Sequence, residues 1–210
     1  NPIGLTRALR RAVMARVQAV LGPGVSLPAF FTGHTRDGSI ARSETHPHLA
    51  FAFDPAGIRL LIVAPHLMSR RIPTRDESES WATFEEAVGD LSELRAGDAG
   101  CLALRQVPID VGSDPLFRAS RHWESATSYD VTRHAKGIGA ARAVAADVVV
   151  ECQRRGLPVP QVTIIETHGQ RGVGLMGRVS LSFAVAVNGP LLLGKSRHLG
   201  GGLFAAKTTA

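Results

Sequence analysis

The chain has 210 residues, of which 44% are hydrophobic, so it can bury a core and lies between one domain and two small ones in size. Its net charge of +6 and isoelectric point near 10.3 favour an acidic partner such as nucleic acid. No apolar run reaches the length of a membrane span and no signal peptide pattern opens the chain, so we expect a cytoplasmic protein without a membrane partner.

The first half of the chain predicts helix, strand, strand, strand, helix and strand in that order. The predicted ranges are a helix from Pro2 to Gly22, a strand from Ala29 into a turn at Asp37-Gly38, strands over 48–53 and 58–64, a helix over 76–94 and a strand over 101–104. In the strand over 48–53, alternation places His48 on the face opposite Leu49 and Phe51. In the helix over 76–94, the apolar stripe consists of Trp81, Phe84, Val88, Leu91 and Leu94.

The first predicted helix has a basic face. It consists of Arg7, Arg10, Arg11 and Arg16. Such a face is more often solvated than used for binding, although arginines without matching acids shift the balance toward RNA or a protein partner. By contrast, the window from Asp76 to Asp98 carries eight acids against one base, which makes it −7 and leaves +13 for the remainder. We therefore expect one strongly basic surface and one acidic helix.

Two cysteines, Cys101 and Cys152, lie in apolar surroundings without a Cys-x-x-Cys spacing. This pattern predicts reduced thiols in the core and no structural zinc. The chain begins at Asn1 without an initiator Met, which leads us to expect a trimmed or processed piece with further chain ahead of it.

The second half predicts strand, helix, strand, strand, loop and strand. The ranges are an extended segment over 123–131, a helix from about Ile138 to Arg155, strands over 161–167 and 179–187, a glycine-rich loop over 189–202 and a last strand through Leu203-Phe204. This β-α-β-β order can complete a ferredoxin-like, RRM-type sheet. We expect an α+β protein with tandem ferredoxin-like domains over 1–114 and 115–210, the second with a C-terminal glycine-rich loop; one larger mixed sheet is the alternative.

The glycine-rich loop matches a nucleotide-binding pattern that its surroundings argue against. Gly189 to Ser196 satisfies the P-loop spacing G-x-x-x-x-G-K-[ST]. That motif requires a helix starting at the lysine, whereas here Arg-His-Leu-Gly-Gly-Gly follows Ser196 and only fourteen residues remain. Nucleotide hydrolysis is therefore not expected, and no cofactor is predicted.

Four motifs in sequence support a resemblance to a known family. They are the C-terminal loop Gly189-Pro-Leu-Leu-Leu-Gly194 with Arg197-His-Leu-Gly-Gly-Gly-Leu-Phe204, then Phe31-Thr-Gly33-His34 with Asp37-Gly38, His46-Pro-His48-Leu-Ala-Phe51, and Trp123-Glu-Ser125-Ala-Thr127 with Arg133-His134. The loop resembles the one that ends the CRISPR repeat-associated (RAMP) RNA-binding proteins. The whole chain is similar to the repeat-processing, Cas6-like half of the fused Cas5/Cas6-type subunit of type I-G (formerly I-U) CRISPR effector complexes, whose other half would precede Asn1.

The resemblance implies a function in antiviral defence. Such a protein binds CRISPR repeat RNA, cuts the precursor transcript without a metal and retains the 3′ handle of the guide RNA among the other subunits of a type I effector complex. A non-cleaving RNA-binding subunit that only caps the guide is the alternative, and both need the same basic surface.

Metal-free RNA cleavage uses the ribose 2′-OH as nucleophile and needs proton transfer at that oxygen and a cation near the scissile phosphate. Histidine suits both proton steps because its pKa lies near neutrality. His34, after a glycine at a strand end, and His48 are the candidate base and acid, with their order left open. A metal bound by His46 and His48 is a minor reading because no third ligand is evident nearby.

The candidate RNA contacts are basic residues and glycines that suit a phosphate backbone, because glycine lets the chain approach a polyanion and its N–H groups are expected to point outward. They are Lys195, Arg197, His198, Gly200, Gly201 and Gly202 of the loop, Arg133, His134 and Lys136 of the turn before the second-half helix, and Arg70 and Arg71 after the third strand. Aromatic residues make up only 5% of the chain, so we expect a basic cleft against an RNA hairpin backbone rather than base stacking.

Overall fold

The computed structural model describes residues 2–34, 39, 48–133, 139–170 and 174–207. The chain is an α+β protein whose main sheet is antiparallel, as the sequence predicted. It divides into two compact units, one formed by Asn1–Phe53 with Leu60–Pro108 and the other by Asp54–Arg59 with Ile109–Ala210. The domain boundary drawn from the sequence after residue 114 stays a prediction.

The first unit contains helices and two pairs of short strands. They are α1 (Pro2–Leu21), α2 (Ala29–Thr32), β1 (Ala50–Asp54), β2 (Arg59–Val63), α3 (Pro65–Met68), α4 (Arg75–Val88), β3 (Glu93–Arg95) and β4 (Cys101–Ala103). β1 pairs with β2, and β3 pairs antiparallel with β4; within the described residues no strand joins the two pairs. Their side chains share one core with the helices.

Helix α1 forms because apolar side chains recur at helical spacing. Leu9, Val13 and Val17 are spaced by four residues, and all three are buried in the core that also contains Phe84 of α4. The helix ends at Gly22, whose φ of 89° lies in the left-handed region and whose N–H donates to the carbonyl of Gln18. The predicted first helix is confirmed.

Three expectations for the first unit are wrong. The segment from Ala29 is a helical turn, not a strand, because Phe30 and Phe31 are both buried rather than on alternate faces. Helix α4 ends at Val88, before Gly89, so the end of the expected stripe lies outside it and Leu94 is buried in β3. Cys101 is exposed and is not a core thiol, whereas Cys152 is buried. The turn predicted at Asp37-Gly38 lies outside the described residues.

The second unit contains one sheet and one long helix. Its elements are β5 (Ala119–Ser125), β6 (Tyr129–Asp130), α5 (Ala140–Arg154), β7 (Gln161–Gln170), β8 (Gly174–Asn188), β9 (Leu191–Leu192) and β10 (Leu203–Ala206). A 3-10 turn over Arg197–Leu199 stands between β9 and β10. Their order follows the sequence prediction, and β8 shows the expected alternation between buried and less buried residues along most of its length. The predicted bounds of the hairpin are wrong, because β7 extends to Gln170 and β8 already begins at Gly174.

Strand β8 pairs with three other strands, more than any other strand of this sheet in the described part of the chain. Gly177 of β8 pairs with both Thr167 of β7 and Tyr129 of β6, so β7 occupies one edge of β8 and β5 followed by β6 occupies the other. Phe204 of β10 pairs in turn with Ser125 of β5 and Leu191 of β9. The strand order is therefore β7-β8-β5-β10-β9, every pair is antiparallel, and α5 packs its apolar side against this sheet.

Candidate functional site

His34 is exposed at the end of helix α2, and its ring is held by its own chain. Nδ1 lies 3.1 Å from the carbonyl oxygen of Thr32, and the hydroxyl of Thr32 accepts from the His34 N–H at 3.1 Å. Because a carbonyl oxygen can only accept a hydrogen bond, this contact requires the proton of the neutral ring on Nδ1. Nε2 is then the ring atom that carries a lone pair and can accept a proton.

His48 packs against Gly33, the residue directly before His34. A Cβ on Gly33 would lie 2.7 Å from Cε1 of His48, and Gly33 also has a φ of 73° that favours glycine. A backbone bond from the Leu49 N–H to the Phe30 carbonyl, at 2.9 Å, fixes the two segments side by side. His48 thus packs against the residue that precedes His34 in the chain, and His46 falls outside the described residues.

Arg10 of helix α1 joins this site. Its Nη2 donates to the same Thr32 carbonyl at 3.0 Å, so one oxygen receives both a guanidinium and the His34 ring. Sequence reasoning missed this contact and counted Arg10 only as part of a basic helix face. The sequence did show that Arg7, Arg10 and Arg11 lie at i, i+3 and i+4 of one helix without nearby acids. It did not show the partner of Arg10, because Thr32 lies 22 residues further along the chain.

Arg70 and Arg71, the basic pair after β2, do not form a free cationic patch. Arg71 donates from both terminal nitrogens to the carboxylate of Glu77, each at 2.6 Å, and Glu77 with Thr74 forms the capping box of α4. The hydrogen bond from Arg71 lowers the pKa of Glu77. Arg70 is half-buried and adopts a φ of 52°. Arg71 therefore stabilises the start of α4 in addition to any ligand contact.

The glycine-rich loop is closely packed on its own unit. The N–H of Gly202 donates to the Ser128 carbonyl at 2.8 Å and that of Gly201 to the Ser196 carbonyl at 3.2 Å. A Cβ on Gly202 would lie 1.8 Å from the Leu193 oxygen. The Gly200 carbonyl accepts from the Thr127 hydroxyl at 2.8 Å. The amides of Gly201 and Gly202 point into the protein, contrary to the expectation of outward amides for a ligand.

The loop's three charged candidates have different surroundings. Arg197 is 8% exposed and contacts the Gly194 carbonyl at 3.2 Å and the buried carboxylate of Glu151 at 3.9 Å, so a direct phosphate contact would require it to leave Glu151. Both ring nitrogens of His198 are buried. Lys195 is exposed, while its backbone N–H donates to the Asp130 carbonyl. Lys195 is therefore the member of this trio best placed to meet a ligand.

A buried carboxylate that sequence reasoning missed holds the segment before α5. Asp147 accepts from the Tyr129 hydroxyl at 2.6 Å, from the Thr132 N–H and hydroxyl at 2.7 Å each, and from the Arg133 N–H at 3.2 Å. Burial and this carboxylate raise the pKa of Tyr129. The signal in the sequence was an acid at position 147 between Val144 and Val148 on the apolar side of the helix. The side chain of Arg133 is exposed, and His134 and Lys136 lie outside the described residues.

The chain was compared with protein-family models, curated proteins and solved structures, and none of them matches. Among the described residues, no three His, Cys, Asp or Glu side chains cluster as metal ligands would. None of the helices in the described part of the chain is long and apolar enough to cross a bilayer. A 3-10 turn rather than an α-helix follows Ser196, so the P-loop spacing is not accompanied by the helix that its mechanism requires.

Proposed function

We propose that this chain is a metal-independent endoribonuclease that cuts CRISPR repeat RNA and retains the 3′ handle of the guide within a type I effector complex. The observation that carries the proposal is the exposed His34, whose Nδ1 is engaged by Thr32 and whose Nε2 is the proton-accepting atom. The preceding residue, Gly33, packs against a second histidine, His48. The resemblance of the chain to the repeat-processing half of the fused type I-G subunit gives the substrate class. A cytoplasmic location follows from that role.

The strand order of the second unit supports a ferredoxin-like fold. If β5, β7, β8 and β10 are counted as the first to fourth strands, α5 lies between the first and the second. The order of these strands in the sheet is then 4-1-3-2, and every pair is antiparallel. The glycine-rich loop with β9 stands where a second helix would connect the third and fourth strands. The first unit has the order helix, strand, strand, helix in α1, β1, β2 and α4, and we propose that it is the other member of a tandem pair.

The proposed reaction is a transesterification within the RNA. Nε2 of His34 removes the proton of the ribose 2′-OH, the 2′-oxygen attacks the adjacent phosphorus, and the bond from phosphorus to the 5′-oxygen breaks. Protonated His48 gives its proton to the departing 5′-oxygen. The products are a 2′,3′-cyclic phosphate and a 5′-OH, so the proton gained by one histidine balances the proton lost by the other.

Exposed cations supply the affinity for the RNA backbone in this proposal. Lys195 and Arg133 of the second unit are exposed, and guanidinium and ammonium groups that replace counterions make binding salt-dependent. Arg71 of the first unit is exposed too, but its charge is paired with Glu77. We assign Arg197, His198 and the loop glycines to keeping the loop in shape, so that Lys195 is held at the surface. His134, Lys136 and Arg70 remain candidate contacts from the sequence.

The test is cleavage of labelled repeat RNA by the purified chain in EDTA. We expect a product with a 2′,3′-cyclic phosphate and no reaction when the 2′-OH at the cut is replaced by hydrogen. His34→Ala is expected to abolish cleavage without changing the dissociation constant, and His48→Ala to slow it strongly. Full activity of His34→Ala would exclude our choice of base.

Tight binding of repeat RNA without cleavage would instead support the non-cleaving subunit that caps the guide. RNA bound no better than double-stranded DNA of equal charge would contradict both functions, because a repeat-binding protein must recognise more than phosphate charge.

A further inference from the structure

We infer that Arg7, Arg10 and Arg11 of α1 form a phosphate-binding surface for the RNA strand that passes His34. This inference rests on the proposed function and adds to it the part of the substrate that lies closest to the chemistry. The sequence indicated this helix only as a basic face, a kind of surface that is more often solvated than used for binding. The surface, called here the α1 arginine face, consists of these three residues only.

The three side chains share one face of the helix. Residues at i, i+3 and i+4 of an α-helix are neighbours, so three like charges lie together here. Arg7 and Arg11 are exposed and Arg10 is half-buried. In the part of the chain that the structure describes, no ion pair involves any of them, whereas Arg16 on the same helix pairs with Asp90. Like charges repel unless an anion joins them, so the face suits an anionic ligand.

The α1 arginine face adjoins the candidate base directly. Nη2 of Arg10 and Nδ1 of His34 lie 3.0 and 3.1 Å from the same Thr32 oxygen, so the two nitrogens can be no more than about 6 Å apart. In a reacting RNA the 2′-oxygen stands about 3 Å from the phosphorus. A base on the 2′-OH and a cation on the phosphate oxygens then lie on the order of 6–8 Å apart, since each adds a hydrogen bond of about 2.7–3 Å. The base is Nε2, which lies about 2 Å across the ring from Nδ1, so its distance from Nη2 of Arg10 is at most about 8 Å, and this limit allows the required separation.

Arginine chemistry favours phosphate among the possible anions. A guanidinium has five donors, of which the Thr32 carbonyl takes one from Arg10, and its planar fork matches two phosphate oxygens. Phosphates that follow one another along a single strand can be met in turn by Arg7 and Arg11 on the successive turns of the helix. We therefore choose RNA, and an acidic protein surface becomes an outcome of the test.

The experiment compares two double variants of the full chain that each lose two positive charges. Arg7→Gln with Arg11→Gln changes the α1 arginine face, and Arg75→Gln with Arg95→Gln changes two exposed arginines in the acidic part of the same unit. Binding of repeat RNA is measured over a series of KCl concentrations. All four positions are exposed, and circular dichroism with thermal melting checks that both proteins are folded.

We expect the α1 double variant to bind RNA at least tenfold more weakly. Its slope of log affinity against log salt should fall by about 1.4, because each lost contact with a single strand removes about 0.7. The control double variant should stay within twofold of the unchanged protein. Equal losses in the two variants would overturn the inference, since they would reflect net charge alone.

A crosslinking experiment separates this inference from the proposed function. Repeat RNA carrying 4-thiouridine beside the cut is irradiated with the unchanged chain, and the modified peptide is identified by mass spectrometry. Crosslinks within residues 2–21 support the α1 arginine face. Cleavage with crosslinks only elsewhere overturns the face and leaves the function intact. No specific binding and no cleavage overturn the function itself. Unchanged RNA affinity in the α1 double variant overturns the face as an RNA contact and leaves an acidic protein surface as its ligand.

Discussion

Gly202→Ala tests whether the glycine-rich loop is packed as closely as described, and Gly156→Ala is its matched control. The two glycines have almost the same left-handed backbone, with φ of 60° and 66°. An added Cβ meets nothing within 4 Å at Gly156, but at Gly202 it lies 1.8 Å from the Leu193 oxygen. Gly202→Ala therefore measures backbone strain plus a steric clash, and Gly156→Ala measures backbone strain alone.

The expected magnitudes differ clearly. An alanine in the left-handed region costs about 1–2 kcal/mol at either position. At Gly202 the Cβ falls well short of the 3.4 Å at which ordinary contact begins, and the clashing atom belongs to backbone. Leu193 also donates its N–H to the Gly202 carbonyl at 2.9 Å, so a shift of either residue weakens that bond. Overpacking adds about 1–3 kcal/mol and the weakened bond about 1 kcal/mol, for a total of about 3–6 kcal/mol.

The assay is urea unfolding followed by tryptophan fluorescence. In a Trp81→Phe background the remaining Trp123 is fully buried in the core of the second unit, which also contains both glycines. We expect the midpoint of Gly202→Ala to fall well below that of Gly156→Ala at an unchanged slope. Losses within about 0.5 kcal/mol of each other would refute the close approach of Gly202 to Leu193.

Three further predictions concern charged groups. Asp147→Ala should lower the free energy of unfolding by about 3–5 kcal/mol in the same assay, because the buried Tyr129 hydroxyl is left without its partner. Asp147→Asn should lower the free energy of unfolding by less, and equal losses would contradict the assigned hydrogen bonds. The lowered pKa of Glu77 means that its pairing with Arg71 stabilises the fold above the ordinary Glu pKa and is lost as pH falls through the lowered value. Arg71→Gln should therefore flatten the decline in urea midpoint as pH falls below the ordinary Glu pKa, and an unchanged decline would argue against the pair. Lys195→Gln should reduce the salt slope of RNA binding by about 0.7. Arg197→Gln should instead lower the free energy of unfolding, because it removes one of the two arginines, Arg155 and Arg197, that pair with the buried carboxylate of Glu151. The reverse pattern would contradict the exposures of Lys195 and Arg197.

The regular elements could be predicted because their periodicity is strong. Helix α1, helix α5 and strand β8 follow from apolar spacings of about four and of two residues. The helical turn after Pro28 could not be predicted, because two adjacent aromatic residues show neither helical nor strand periodicity. Both Phe30 and Phe31 are buried by the surrounding core. The end of α4 was misplaced because Leu91 and Leu94 continue its spacing by chance after Gly89.

The candidate site was predictable in its residue types but not in its contacts. His34 and His48 were chosen for their chemistry, and the packing of one beside Gly33 depends on chain that returns fifteen residues later. The contact of Arg10 with Thr32 likewise depends on how α1 packs, which no local pattern encodes. The glycines of the loop were expected to offer their amides outward, whereas Gly201 and Gly202 donate them inward. Glycine content alone does not distinguish these two uses.

The pairing of β8 with both β7 and β5 has a consequence for how the second unit folds. Its pairing with β7 joins residues that follow one another closely, from Gln170↔Gly174 outward, so this hairpin can form with little loop closure. Its pairing with β5 joins Trp123 to Leu181 across more than fifty residues and must wait for a far larger loop to close. We therefore expect the hairpin of β7 and β8 with α5 to be the folding nucleus, and the strands that border the glycine-rich loop to be the last to join the sheet.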